Sequence, residues 1–399
     1  MLTPHSLTGL FLTVAVQSAC AAITIQTVPV GFPGNAGQVQ TQGTFGSVAY
    51  SYRLGAFEVT NQQYVSFLNA VAASDPFALY NSNMGNQSRG GITRSGASGS
   101  YTYSARVDMG DKPVNYVSYW DAARFANWMT KNQPTGPQGN GTTETGAYAL
   151  GSLSEPDPVR QIPRSPGATW FIPSENEWYK AAYFNPSDST YFAYPTRSNI
   201  APLIATADAA GNVSNPGDNV ANYLSGANWN GLRGNLTTVG SATAGSSYNT
   251  FDQGGNVYEW NERNSGSRIV RGGAWGESAV GMDAAVQTTV APHFESDFLG
   301  FRVASKAAPF TVGDFDEDFD VDGADLERWR LGFGLSMGAA HGQGDSDGDS
   351  DVDGADFLLW QRQLESSSAR GVPEPKGLTL IVGALAVSIS SRRLRSQQG

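Results

Sequence analysis

The residues with the most explicit chemistry are aspartates in two stretches that match at a spacing of 31, Asp314 to Asp325 and Asp345 to Asp356. Within each twelve-residue stretch, positions 1, 3, 5 and 12 are aspartates. These are Asp314, Asp316, Asp318 and Asp325 in the first, and Asp345, Asp347, Asp349 and Asp356 in the second. Position 7 is Asp320 or Asp351, and a tryptophan, Trp329 or Trp360, follows position 12 by four residues. Carboxylates at 1, 3, 5 and 12 with a carbonyl at 7 supply hard oxygens at the spacing that Ca²⁺ takes. Position 12 is not the longer glutamate of an EF-hand, and position 6 is Phe319 or Ser350 rather than glycine. A merely solvated acidic run is the plainer reading, but it gives no reason for a residue-by-residue repeat. Fourteen acids and two bases lie between Asp314 and Asp356, so this segment carries −12 against a whole-chain net charge of −11. A cation partner is therefore expected here, and nucleic acid is not. Crowded carboxylates repel one another without the ion. Chelation is expected to unfold most of residues 309–366, and circular dichroism with and without chelator checks this.

Such loops need elements to hold them. Leu326 to Leu331 and Phe357 to Leu364 carry apolar residues three or four apart, which predicts a helix after each loop. Duplicated loop-helix units with aspartate at position 12 resemble type I dockerin repeats. The resemblance implies a small α-helical tandem calcium-loop module over 309–366, two Ca²⁺ ions and, in some members, docking to a cohesin-like protein.

The body of the chain, residues 23–308, offers little other chemistry. One cysteine excludes a disulfide scaffold and any multi-thiolate zinc site. Three scattered histidines, His5, His293 and His341, exclude a three-histidine metal centre. His293 is the only histidine of this region, and nothing near it reads as a nucleophile elbow. Three helix starts stand out: Thr60 with Gln63, Ser118 with Asp121, and Ser174 with Glu177. Each is a capping box, the second in a looser form. Strands are predicted at Trp170–Ile172, Arg268–Arg271 and Gly300–Val303. The Gly/Asn/Ser/Thr-rich stretches 85–104, 132–148 and 205–250 read as long loops. Trp120, Trp128, Trp178, Tyr179, Trp229, Trp260 and Trp275 could line a sugar-binding surface, but their positions on apolar faces read as core.

The ordered motifs Glu58-Val-Thr-Asn61, Lys112 to Ser118, Phe171 to Ala182, Gly255-Asn-Val-Tyr-Glu-Trp260, Arg271-Gly-Gly-Ala-Trp275 and Gly300 to Ala304 resemble the formylglycine-generating enzyme, or sulfatase-modifying factor, superfamily. The resemblance implies an α+β fold related to C-type lectins, with little regular structure and with structural calcium. It also implies a copper site held by two cysteines after the late Gly-Gly. Glu277 and Met282 stand where those thiols would be. A carboxylate and a thioether do not make the two-thiolate Cu(I) site, so no copper and no formylglycine-generating activity are expected, and no catalytic residue is assigned. The segment Asp252-Gln-Gly-Gly255-Asn-Val257-Tyr-Glu259 matches a calcium-binding segment of the family. The match implies ligation by the Asp252 and Glu259 carboxylates and the Gly255 and Val257 carbonyls. The alternative is that Asp252 caps a turn and Glu259 pairs with an arginine such as Arg271. Ala221-Asn222-Tyr223 marks a second family segment, without an identified aspartate partner.

The two ends read as addresses. Residues 1–22 hold an apolar run, Leu10 to Val16, then small residues, which is the pattern of a signal peptide without its usual basic start. A buried first strand or helix is the alternative. Residues 367–399 hold Val372-Pro-Glu-Pro375, an apolar stretch from Leu378 to Ile389 and Arg392-Arg-Leu-Arg395. They resemble the PEP-CTERM sorting signal of Gram-negative envelope proteins, which implies transient membrane attachment and tail removal. A simple tail anchor is the alternative. Together the sequence describes an exported protein of the outer cell surface or extracellular space. Its main domain is expected to be a non-catalytic calcium-binding recognition or structural module, with a cohesin-like protein or a cell-surface glycan as partner. An enzyme with non-thiol chemistry near Arg271 to Met282, and an accessory role in polysaccharide degradation, remain the other readings. A polar cleft gathering Glu277 and Arg271 would favour the enzyme; a filled one would favour binding.

Overall fold

The computed structural model describes residues 22–151, 162–262, 267–306, 311–317 and 320–370, the side chains of 365–370 excepted. The proposed signal peptide up to residue 21 and the sorting tail from residue 371 onward lie outside the described residues, as do Asp318 and Phe319. No helix among the described residues is long and apolar enough to cross a membrane.

The chain opens with β1 (Thr27–Val30), a small hairpin of β2 (Gln38–Gln40) and β3 (Gly43–Phe45), and β4 (Tyr52–Gly55), which returns antiparallel to β1. The helix α1 (Asn61–Val71) starts where the capping box predicts. The Thr60 hydroxyl accepts from the Gln63 amide, and the Gln63 side chain accepts from the Thr60 amide. The one-turn α2 (Asn83–Asn86) and the hairpin of β5 (Ile92–Ser95) and β6 (Thr102–Ala105) follow. That hairpin lies inside the stretch 85–104 that reads as loop. Its alternation is too polar to stand out in sequence, and β6 is held by packing on α1. Ser118 and Asp121 cap α3 (Tyr119–Thr130) reciprocally, so the looser box is a working one. β7 (Trp170–Phe171) precedes α4 (Glu175–Tyr183), capped by Ser174 and Glu177.

The second half has short pairs only: β8 (Phe184–Asn185) with β9 (Thr190–Tyr191), and β10 (Leu203–Ile204) parallel to β11 (Val220–Ala221). β12 (Tyr258–Asn261), β13 (Arg268–Arg271), β14 (Thr288–Val290) and β15 (Leu299–Gly300) then form a four-stranded sheet in the order β14-β13-β12-β15. The last strand of the domain, β16 (Ala304–Lys306), leaves that sheet and inserts between β4 and β7 of the first, giving the order β1-β4-β16-β7. Of the strand predicted over Gly300–Val303 only Gly300 lies in one, at the end of β15, and β16 of the other sheet begins just after it at Ala304. The residues between them cross over, and the crossover buries Arg302. The main core lies around α1, α3 and the two sheets, with Phe67, Phe125, Trp128, Trp260 and Phe301 among its rings. Trp120, Trp128, Trp178, Tyr179, Trp229 and Trp260 are all buried, and Trp275 alone of that set is partly exposed. This is a mixed α/β architecture of several small sheets and few helices.

Beyond it, α5 (Gly323–Gly332) and α6 (Gly354–Arg370) follow the two acidic loops. They pack on a small cluster of Phe315, Val321 and Trp360, flanked by Trp329, Phe357 and Leu364. The two tryptophans cross. Trp329 Nε1 donates to the Asp353 carbonyl at 2.8 Å, and Trp360 Nε1 donates to the Asp322 carbonyl at 3.0 Å. Each repeat's helix thus ties down the other repeat's loop. A core this small generally needs a further fixture such as a bound metal.

Candidate functional site

In each acidic loop the aspartate at position 12 is the hub, because its buried carboxylate is aimed back into the loop by the first turn of the following helix. Asp325 Oδ1 accepts from the amides of Phe315 at 2.6 Å and Asp316 at 3.1 Å, and its Oδ2 accepts from Asp322 at 2.7 Å. Asp356 does the same with Ser346 at 2.7 Å, Asp347 at 3.3 Å and Asp353 at 2.7 Å, each partner 31 residues later. Around each hub two carboxylate triads converge, with ligand atoms within 4.8 Å of one another. They are Asp314, Asp316, Asp325 and Asp320, Asp322, Asp325 in the first loop, and Asp345, Asp347, Asp356 and Asp351, Asp353, Asp356 in the second. Asp349 joins neither triad of its loop, and Asp318 lies outside the described residues. Asp322 and Asp353 are the members that spacing alone missed. Their signal was available, since both occupy position 9 of the repeat, directly before the helix that each precedes. Desolvation, and then four neighbouring aspartates, push the Asp351 carboxyl above the usual range. An acidic cage of oxygen donors of this kind fits a hard cation.

In the large domain the residues around the late Gly-Gly separate rather than converge. Gly272 and Gly273 take φ of +96° and +70°, which lets the chain fold over tightly. Glu277 then points into solvent on an exposed turn. Met282 is 0% exposed and packs against Ala221 and Tyr223, with Tyr194 and Ala279 beside it. Arg271 turns the other way. Its guanidinium pairs with Glu175 at 2.7 Å and donates to the carbonyls of Ala284 and Val286. Among the described residues no hydrogen bond or ion pair joins Glu277 to Arg271.

Of Asp252, Gly255, Val257 and Glu259, the two acids face a buried arginine. Arg302 Nε and Nη2 donate to the two oxygens of Glu259 at 2.5 and 2.6 Å, and Trp178 Nε1 donates to Glu259 at 2.7 Å. In this arrangement both oxygens of Glu259 accept from Arg302 and one of them also from Trp178, so the carboxylate is committed to an arginine partner. The arginine partner is Arg302 and not Arg271. Asp252, at φ +57°, accepts from the Gly240 amide, and burial pushes its carboxyl up to about 6. Gly255 sits at φ +85°, and a Cβ there would lie 2.3 Å from the Asn222 carbonyl oxygen. Val257 is core, beside Trp229 and Leu236. Glu58 completes the group. Burial first, and Asp252 second, raise its carboxyl well above the ordinary range, while its Oε1 accepts from Asn256 at 3.1 Å. His293 is exposed and has no role here.

Residues 36–307 match the model of the sulfatase-modifying factor enzyme 1-like domain. The chain belongs to this family. Three solved structures are similar to the chain at low identity. CarF is 19% identical, over 71% of this chain and 99% of its own, with a TM-score of 0.40. The Treponema denticola variable protein 1 is 17% identical, over 72% and 98%, with a TM-score of 0.43. PvdO from Pseudomonas aeruginosa is 17% identical, over 71% and 92%, with a TM-score of 0.34. No curated protein matches the chain. For a sulfatase-modifying-factor domain, the arrangement around Met282 is the telling feature: one of the two positions is filled by a packed thioether and the other faces water.

Proposed function

We propose that this protein is a non-catalytic member of the sulfatase-modifying factor family, an exported recognition or structural module that binds calcium through its acidic loops. One observation carries the reading. The place where a thiol pair would work holds a buried Met282 and a solvent-facing Glu277, with Arg271 committed to Glu175. Neither position carries a thiolate for a copper-dependent oxidation. The paired triads of the acidic loops support calcium. Asp314, Asp316, Asp320, Asp322 and Asp325 would hold one ion, and Asp345, Asp347, Asp351, Asp353 and Asp356 the other. The hydrophobic start, the Pro-Glu-Pro triplet and the basic end of the sequence support export and surface placement. A cohesin-like protein or a surface glycan is the partner that the whole arrangement fits.

Two measurements test this. Purified protein is incubated with copper and a cysteine peptide of sulfatase type, and the peptide mass is followed; the expected result is no conversion to an aldehyde. Elemental analysis of the same preparation should give about two calcium ions per chain and no copper. Aldehyde formation, or one equivalent of copper, would overturn the non-catalytic reading.

A further inference from the structure

A cavity of about 1110 Å³ opens where the calcium-loop module meets the large domain, and both units build its walls. The joint is specific. The Phe32 amide donates to the Asp316 carbonyl at 3.1 Å, the Ser51 hydroxyl donates to Glu317 at 2.6 Å, and the Arg328 guanidinium lies 3.9 Å from the Phe32 ring centre. The large domain contributes Tyr50, Arg164 and Lys306; the module contributes Arg328 and His341. Neither half makes the groove alone.

Its chemistry is aromatic and cationic. Tyr50 is 50% exposed, yet its hydroxyl is anchored to Glu177 at 2.8 Å, so the ring is a fixed platform at the surface. Fixed rings of this kind bind at little cost in ordering. The charges of Arg164 are answered by Glu177 and Glu262, and Glu317, the acid of the lining, is bonded to Ser51. Lys306 and Arg328 are different. Among the described residues neither has an acidic partner within ion-pair distance, and the Lys306 ammonium donates to the Pro166 carbonyl. Two cations without an acidic partner among the described residues, beside a fixed ring, favour a ligand that is cyclic and anionic at close range, against the repulsion of the acidic loops that bound calcium would lessen. The floor argues against a peptide that binds by adding a strand. Tyr52 on β4 is paired on one side with Val30 of β1 and on the other with Lys306 of β16, so β4 offers no open edge at Tyr52. The volume lies above the roughly 300–1,000 Å³ usual for small-molecule sites, which suits an oligomer better than a single ring.

We infer that this inter-domain groove is a binding site for an acidic sugar chain, with Tyr50 stacking a sugar ring and Lys306 and Arg328 holding its carboxylates. The inference rests on the recognition reading above and names its site and ligand class. The test is calorimetric titration of the calcium-loaded full chain with oligogalacturonate, with a neutral dextran of matched length and with poly-glutamate. Oligogalacturonate should bind and weaken with salt. The double variant Lys306→Glu, Arg328→Glu and the variant Tyr50→Ala, each folded by circular dichroism, should each bind about tenfold more weakly or less. Tyr50→Phe should retain stacking. Unchanged oligogalacturonate affinity in the charge-reversed variant would overturn the assignment, as would poly-glutamate binding equally well. Binding of dextran alone would remove this groove's role and leave the recognition reading standing. Binding of no glycan at all would end the glycan part of both.

Discussion

Replacing Arg302 with methionine should destabilise the large domain severely. Arg302 is fully buried and holds four things at once: both oxygens of Glu259, and the carbonyls of Gly55 and Phe251, each at 2.8 Å. It is also the cation facing Glu58 and Asp252. Methionine keeps much of the volume but leaves Glu259 as a buried, uncompensated charge with only Trp178 to solvate it. Removing one partner of a buried pair costs about 3–5 kcal/mol, and the orphaned carbonyls add to that. For a domain of this size each kcal/mol moves Tm by about 2–4 °C, so a fall of about 10 °C or more is expected in differential scanning fluorimetry, with a matching fall in urea midpoint. Arg302→Lys keeps the charge but loses the two-pronged geometry, and should fall between. A Tm within about 2 °C of the parent for Arg302→Met would refute the reasoning. It would mean that something other than Arg302 balances Glu259.

Three further outcomes follow from the geometry. Ser174→Ala removes the hydroxyl that accepts from the Glu177 amide and should cost about 1 kcal/mol in urea unfolding. Gly255→Ala forces a Cβ to 2.3 Å from a backbone oxygen at positive φ and should cost more than about 2 kcal/mol, visible as loss of soluble expression or a low Tm. Glu295 is pushed up to about 9, first by burial and then by the carboxylate of Asp121. The folded state therefore keeps a proton that the unfolded state has lost, and stability at this site declines as pH rises from about 4.5 toward 9, by at most about 1.4 kcal/mol per pH unit. Glu295→Gln should flatten that part of the Tm-versus-pH curve, and an unchanged slope would speak against a Glu295 that stays protonated in the folded state.

The parts of the fold that local chemistry dictates were readable from sequence. Three capping boxes marked three helix starts, because a side chain reaching its own backbone leaves a fixed spacing, and β13 fell on Arg268–Arg271. The crossover at Phe301–Val303 was not readable. A run of Gly-Phe-Arg-Val has the composition of one strand, and only the distant Glu259 explains why Arg302 must leave the sheet. The same distance hid the partner of Glu259, since nothing local distinguishes Arg302 from Arg271. In the acidic loops the repeat made most of the triads legible. Asp322 and Asp353 were missed because position 9 serves helix and cage together.

The placement of β16 has a consequence for how the polypeptide matures. Because this strand fills the slot between β4 and β7, the first sheet has a gap until residue 304 has been made. A nascent chain shorter than that presents two unpaired edges and cannot close its interior. Completion waits on the far end of the domain, so the folding step joins residues some 250 positions apart in the register of Ala304 with Leu54. A topology of that kind is slow to zip, because its closing contact carries the loop-closure entropy of most of the domain.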